Sequence, residues 1–301
     1  ICDNLLLAVY LSAKSKVMIA PAMDREMNEH PSYLSNVKTL KEYGAIVLDT
    51  GEGELASGLI GKGRMLEPEQ ILEQLNFFFR QGKSLNGKKV LVNAGPTYEA
   101  IDPVRFIGNR SSGKMGIAIA NELDSRGAEV HLVLGPSDER EINKGVEVTR
   151  VESAKEMFDQ CKDKFKDMHA AILAAAVSDY RPVSVSDKKI KKADSEEKGM
   201  SIELEETDDV LATLGKIKDK QVLIGFALET NNELENAKKK LEKKNLDFIV
   251  LNSLRSEGAG FGHNTNKITI IEKSGTEHNY DLKTKNEVAS DIVDVLTTKL
   301  L

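Results

Sequence analysis

The run Lys89-Val90-Leu91-Val92-Asn93, closed by Gly95-Pro96-Thr97, and the later Gly108-Asn109-Arg110-Ser111-Ser112-Gly113-Lys114-Met115-Gly116 decide the fold of this chain. The first reads as a buried strand. The second leads into an apolar helix, Met115 to Ser125. A long polar connection between a strand's carboxyl end and a helix start is where α/β proteins build phosphate or nucleotide sites. The connection also holds Asp102-Pro103-Val104-Arg105-Phe106-Ile107, so two arginines, a lysine, an asparagine and hydroxyls lie along it. A plain connection needs none of these.

Near-matches narrow the reading. Gly108 to Lys114 follows G-x-x-x-x-G-K, but Met115 stands where a P-loop needs a hydroxyl for magnesium, and the preceding strand ends many residues too early. The dinucleotide pattern G-x-G-x-x-G is absent, which argues against a generic reductase. A glycine-rich helix start with no ligand is the bland alternative.

With 301 residues the chain has room for two cored domains. Its net charge of −6 argues against nucleic acid as the main partner, and no apolar run is long enough for a membrane span. Two distant cysteines, Cys2 and Cys161, point to a reducing cytoplasm. The Asn109-Arg110-Ser111 sequon is discounted without a secretory signal. Ile1 opens directly on a helix-like run, Leu5 to Ala13, which reads as the start of a fragment or a processed chain.

Residues 1–82 hold short strands (Val17 to Ala20, Ala45 to Leu48), a helix at Tyr33 to Tyr43, a glycine-rich loop at Gly51 to Gly63 and a helix through Phe78. Residues 83–88 read as a linker. From Lys89 to Leu301 strands (Glu129 to Leu134, Val146 to Val151, Ala170 to Ala175, Val222 to Ala227, Asp247 to Asn252) alternate with helices (Ala154 to Phe165, Asp209 to Ile217, Asn232 to Lys244). Ser153 and Glu156 form a capping box. The alternation predicts an α/β fold, a Rossmann-like parallel sheet covered on both faces. Lys267 to Leu282 reads as a C-terminal hairpin, and Lys285 to Leu300 as a last helix.

Three further loops carry chemistry. Ala174-Ala175-Ala176-Val177-Ser178-Asp179 ends a strand with small residues that admit a ligand to the backbone, and Asp179 suits a ribose hydroxyl or magnesium. Against this stands a tight corner with Asp179 as a local cap. Lys188 to Lys192 is either a solvated face or a mobile basic flap over a triphosphate. Gly225 to Thr230 ends another strand, with Phe226 either stacked on a base or in the core. Lys240 and Lys244 share a helix face that a triphosphate could use, whereas Lys243 faces solvent. With no Ser-His-Asp or metal-ligand cluster, this set suits nucleotide-driven acyl activation better than hydrolysis or hydride transfer.

These motifs, from about Lys88 to the C-terminus, resemble those of phosphopantothenate–cysteine ligase. Pro21-Ala22-Met23-Asp24-Arg25-Glu26-Met27-Asn28 and Ala56-Ser57-Gly58-Leu59-Ile60-Gly61-Lys62-Gly63-Arg64-Met65 resemble the signature and flap of phosphopantothenoylcysteine decarboxylase, which bacteria commonly fuse ahead of the ligase. The first block would then be the back half of a flavodoxin-like FMN domain. The resemblance implies that phosphopantothenate, activated by CTP with Mg2+, passes through an acyl-cytidylate and is captured by cysteine. It assigns Lys189 to the triphosphate and first step, and Asn109 and Arg105 to the acyl intermediate. Gly95, Ser112, Lys114, Ala175 and Ala176 would bind the acid, as Asp24 would in the decarboxylase half. Asp179, Asp208, Asp209, Val210, Leu211, Phe226, Lys240 and Lys244 would hold CTP. No protein ligand for magnesium follows. CTP rather than ATP rests on the bacterial fused enzymes.

Two positions depart from the decarboxylase pattern. Asp24 replaces an asparagine, and Ser57 replaces the proton-donating cysteine, so a weaker acid would slow the final protonation. The full-length protein would be bifunctional, and this piece chiefly a ligase. The resemblance also implies a homodimer of the ligase domain. The alternative outside enzymology is a regulatory flavoprotein-like binding subunit, against which Lys189 and Asn109 together count.

Overall fold

The computed structural model describes residues 2–80, 83–191, 200–229, 232–253 and 264–301. Lys192 and Thr230, named above, lie outside the described residues. The chain divides into two compact units, Ile1–Gln81 and Gly82–Leu301.

In the smaller unit, the strands Met18–Ile19 and Ile46–Val47 pair in parallel. Helices Leu5–Ser12, Pro31–Glu42 and Pro68–Arg80 accompany them, and Pro31 occupies a helical first turn where its missing N–H costs nothing. The glycine-rich loop expected at 51–63 is instead an antiparallel hairpin, Gly51–Glu54 with Ile60–Arg64. Glycine and charge lower β-propensity there, and ladder hydrogen bonds outweigh it.

The larger unit is built on eight strands: β1 (Lys89–Ala94), β2 (Glu129–Leu134), β3 (Val146–Arg150), β4 (Ala170–Leu173), β5 (Val222–Glu229), β6 (Phe248–Ser253), β7 (Ile268–Glu272) and β8 (Glu277–Asn279). Their order across the sheet is β3-β2-β1-β4-β5-β6-β7-β8. The first six run parallel and the last two form the expected antiparallel hairpin. This is the doubly wound Rossmann order with a hairpin added at one edge.

Helices α1 (Lys114–Ser125), α2 (Ala154–Phe165), α3 (Val210–Ile217), α4 (Glu233–Lys243) and α5 (Lys285–Leu300) cover both faces. Ile117, Ile119 and Leu123 of α1 join Val288, Ile292 and Leu296 of α5 over Val90 and Val92. On the opposite face, Met157 and Phe165 of α2, Leu214 of α3 and Leu241 of α4 pack on Leu91 and Leu223. Alternate residues of β1 thus feed opposite cores, as the period of a strand requires. Capping boxes start α2 (Ser153 and Glu156) and α5 (Thr284 and Glu287). Both follow the Ser/Thr-x-x-Glu pattern of such caps.

Candidate active site

The chain leaves β1 toward β2 on one side and resumes from β4 toward β5 on the other, so the carboxyl ends of β1 and β4 form a topological switch point. Side chains weld these two ends together. Asn93, buried, accepts from Ala175 N (2.9 Å), and Thr97 Oγ1, also buried, accepts from Ser178 N (2.9 Å). A parallel bridge links Pro96 with Ala176. Gly95 turns there with φ +83°, where a Cβ would stand 3.1 Å from Gly135 O. Gly116 lets α1 settle on β1, since a Cβ would lie 2.5 Å from that of Ala94.

Beside the switch point opens a cavity of about 1030 Å³. Asn109, Ser112, Lys114, Ala175, Ala176, Asp179, Asp208, Asp209, Val210, Leu211, Phe226, Lys240 and Lys244 all line it. Residues scattered over some 135 positions of the sequence are therefore brought to one place. Gly113 starts α1 in a left-handed conformation with no side-chain cap, so the first-turn amides stand available to an anion.

Lys240 and Lys244 make one wall of the cavity cationic. Lys244 pairs with Asp209, which caps α3 by accepting from Ala212 N at 2.7 Å. Burial opposes ionisation of Asp209, but the Lys244 and Ala212 hydrogen bonds and the charges of Lys244 and Lys240 hold it below the usual carboxylate range. Lys240 donates to Phe226 O at 2.9 Å, which ties α4 to the end of β5.

Other positions depart from expectation. Asn109, which the resemblance assigns to the acyl intermediate, lines the cavity. Its Nδ2 donates to Ala176 O (3.2 Å) and Val177 O (3.0 Å), which leaves Oδ1 to present an acceptor. Arg105 does not line the cavity. Its guanidinium meets Asp102 Oδ2 at 2.5 Å and donates to Ile190 O. Asp102 also accepts from Ile190 N at 3.1 Å. Burial opposes its charge, yet the N–H donors of Val104, Ile190 and Arg105 keep its carboxyl below the ordinary value. The backbone beside Lys189 is thus fastened at Ile190 rather than loose, and exposed Lys189 lies off the cavity wall. Gly95 shapes the turn without lining the cavity.

Sequence reasoning missed Asn252, Asn266 and Lys285, which also line it. Asn252 had a signal, a polar residue ending an apolar strand at the same sheet edge. Asn266 and Lys285 had none, because their place is set by tertiary packing.

A family model described as DNA/pantothenate metabolism flavoprotein, C-terminal domain, matches residues 85–300, and a flavoprotein model matches residues 1–79. The coenzyme A biosynthesis bifunctional protein CoaBC of Bacillus subtilis is 41% identical over 97% of this chain and 72% of its own length. The chain belongs to the CoaBC family. A protein named cysteine/cysteine sulfinic acid decarboxylase, from an unknown prokaryotic organism, is 53% identical over 99% of this chain and 84% of its own. A crystal structure of a CoaBC C-terminal domain, 42% identical, superposes with a TM-score of 0.62 over 73% of this chain and 98% of the other. The motifs of the larger unit are thus those of a coenzyme A biosynthesis family, on a mixed α/β fold with a mostly parallel sheet. No helix among the described residues is long and apolar enough to cross a membrane.

In the CoaBC frame the smaller unit corresponds to flavoprotein sequence, and the family implies FMN. Its two described guanidinium groups are committed to carboxylates, Arg25 to Glu29 and Arg64 to Glu67. The groove beside its hairpin is lined mainly by Met65, Leu66, Pro68, Ile71, Leu72 and Leu75. These donors offer a flavin phosphate no dedicated partner among the described residues. Asp24 and Ser57, the two positions at which the resemblance implies a departure, meet: Ser57 Oγ donates to Asp24 Oδ1 at 2.8 Å. For magnesium, no group of three acidic, imidazole or thiol side chains is assembled among the described residues. Asp179, Asp208 and Asp209 would offer one or two carboxylates to an ion held chiefly by nucleotide phosphates, the usual way Mg2+ binds.

Proposed function

We propose that the larger unit is a CTP-dependent phosphopantothenate–cysteine ligase. The observation that supports this most is the switch-point cavity, walled by a free helix amino end and by lysines, in a chain of the CoaBC family. A phosphopantothenate carboxylate oxygen attacks the α-phosphorus of CTP, and the bond to the β-phosphate breaks with loss of pyrophosphate. The cysteine amine then attacks the acyl carbon. The acyl–phosphate bond breaks, CMP leaves, and the amine's proton passes to solvent.

The residues suit each part. Lys240 and Lys244 meet the polyphosphate, where positive charge offsets the charge gathering on pyrophosphate. Asn109 Oδ1 accepts from a hydroxyl or amide N–H of the pantothenate arm and so orients it. The Ala174 to Ala176 corner allows close approach of the acyl group. Lys189 and Arg105 act after the segment around Ile190 releases Asp102, or on a neighbouring copy of the chain. A dimer is supported by Val104, Phe106, Val183 and Val185, exposed apolar side chains in and beside the short Tyr98–Ala100/Phe106–Gly108 and Tyr180–Pro182/Leu204–Glu206 ladders.

The test is to omit cysteine. The account expects CTP-derived label to accumulate as an acyl-cytidylate with release of pyrophosphate. Release of free phosphate with CDP instead would refute activation at the α-phosphorus.

A second reading is favoured by the 53% identical decarboxylase: the smaller unit acts on the carboxylate of cysteine or a cysteine derivative. Labelled carbon dioxide from carboxyl-labelled cysteine would support it, and its absence with added FMN would remove it.

A further inference from the structure

Lys285 is the first residue of α5, and its ammonium arm runs into the cavity wall with only 9% of the residue exposed. A lysine so placed normally finds a carboxylate, because an unpaired buried charge is costly. No acidic side chain among the described residues pairs with it. Its charged neighbour is instead Lys114, whose Nζ donates to Asn264 Oδ1 at 2.9 Å. Burial and the Lys114 charge together push the Lys285 ammonium below its usual value.

Beside them lies a second anomaly. Asn266 is 2% exposed and lines the cavity, and its Oδ1 has no hydrogen-bond partner among the described residues. The short ladder pairing Thr265 with Thr284 and Asn266 with Lys283 fixes it next to the start of α5. A buried amide oxygen left open loses its hydration with no hydrogen bond in return. Two neighbouring ammoniums, an open amide oxygen and the uncapped amino end of α1 converge on one wall. That is an unfinished site, and its missing member is an anion that also brings a donor, its own hydroxyl or a bound water, to the amide oxygen.

We propose that Lys285, Lys114 and Asn266 form a phosphoryl-binding subsite on the α1/α5 wall of the cavity, separate from the Lys240/Lys244 wall. Phosphoryl oxygens accept from both ammoniums and from the α1 amides, while a hydroxyl of the monoanion, or a water on one oxygen, donates to Asn266. The two cationic walls belong to opposite faces of the sheet, since α1 and α5 pack in one core and α4 in the other. A reaction between a phosphorylated acid and a nucleotide triphosphate brings two separate phosphoryl groups to one cavity and needs two such walls. This rests on the ligase reading. The two sources of the group are the 4′-phosphate of phosphopantothenate and the nucleotide's phosphates.

Titration calorimetry on the full chain distinguishes them, using phosphopantothenate, CTP and inorganic pyrophosphate with wild type and Lys285→Gln. The expected result is a loss of about tenfold for one organic ligand. Loss for phosphopantothenate assigns the 4′-phosphate, loss for CTP assigns the nucleotide, and loss for both assigns a phosphoryl site that they share. If wild type binds neither but binds pyrophosphate in a Lys285-dependent way, the subsite stands and the ligase reading falls. Affinities unchanged within about threefold for every ligand, in a variant with native circular dichroism, overturn the subsite, as does wild type binding none of the three. Should Lys285→Gln fail to fold, Asn266→Asp serves. It keeps the side-chain shape, puts a carboxylate on the same cavity wall, and is expected to expel the anion. Unchanged binding in that variant would equally overturn the subsite.

Discussion

The two units spend their apolar residues differently. In the larger unit β1, β2 and β4 are nearly all buried, and helices on each face seal them. In the smaller unit Leu48 and Leu55 are the buried apolar side chains among the described residues, while Leu5, Leu6 and Leu11 stand more than two-thirds exposed. Yet Asp24 and Ser57, 33 positions apart, still meet at hydrogen-bonding distance in the smaller unit. Hairpins and turns can therefore assemble a motif with little core beneath it. A cavity whose walls come from four helices and four strands of the main sheet needs the rigid sheet that only the larger unit supplies.

Cysteine chemistry offers the widest test of that contrast. Cys161 is buried against β1, and burial pushes its thiol up to about 12, whereas Cys2 is exposed. Alkylation at neutral pH should modify Cys2 faster by on the order of a thousandfold, with Cys161 reacting only on unfolding. Equal rates would show that the larger unit opens readily. Next in size, Phe165→Ala should cost about 3–5 kcal/mol in urea melts of the larger unit, while Leu6→Ala stays within about 0.5 kcal/mol. Comparable losses would erase the distinction between the units.

A smaller effect follows from Asp209, whose carboxyl lies below its ordinary 3.8 in the folded chain. A depressed value adds stability above the unfolded pKa and loses it as pH falls through the folded one. Stability should thus fall on acidification below about pH 4, and less steeply in Lys244→Gln, which removes the main partner. Acid titration followed by fluorescence would show two superimposable limbs if the pair were idle. Smallest of all, Ser57→Ala removes one exposed hydrogen bond and should change stability by about 0.5–1 kcal/mol, with ligase turnover unaltered. A drop in ligase turnover would mean that the smaller unit takes part in that reaction.

Much of the sheet was legible because its strands are unbroken apolar runs, and α2 and α5 were bounded correctly by their residue patterns. The ladders Gly51–Glu54/Ile60–Arg64 and Tyr180–Pro182/Leu204–Glu206 were not. They are short, largely exposed and polar or glycine-rich, so period-two burial never shows in the sequence. For the site, loops at the carboxyl ends of β1, β4 and β5 could be named because parallel topology forces them to one edge. Arg105 and Lys189 share that neighbourhood, but buried Asp102 turns Arg105 and the Ile190 backbone toward itself. Lys285 and Asn266 reach the cavity from the far end of the chain, and no local pattern marks such a residue.

The most direct test of the ligase reading is mass spectrometry of the products formed from phosphopantothenate, cysteine, Mg2+ and CTP, beside a matched ATP reaction. The account predicts phosphopantothenoylcysteine with CMP and pyrophosphate, formed preferentially with CTP. No condensed product with either nucleotide would contradict it.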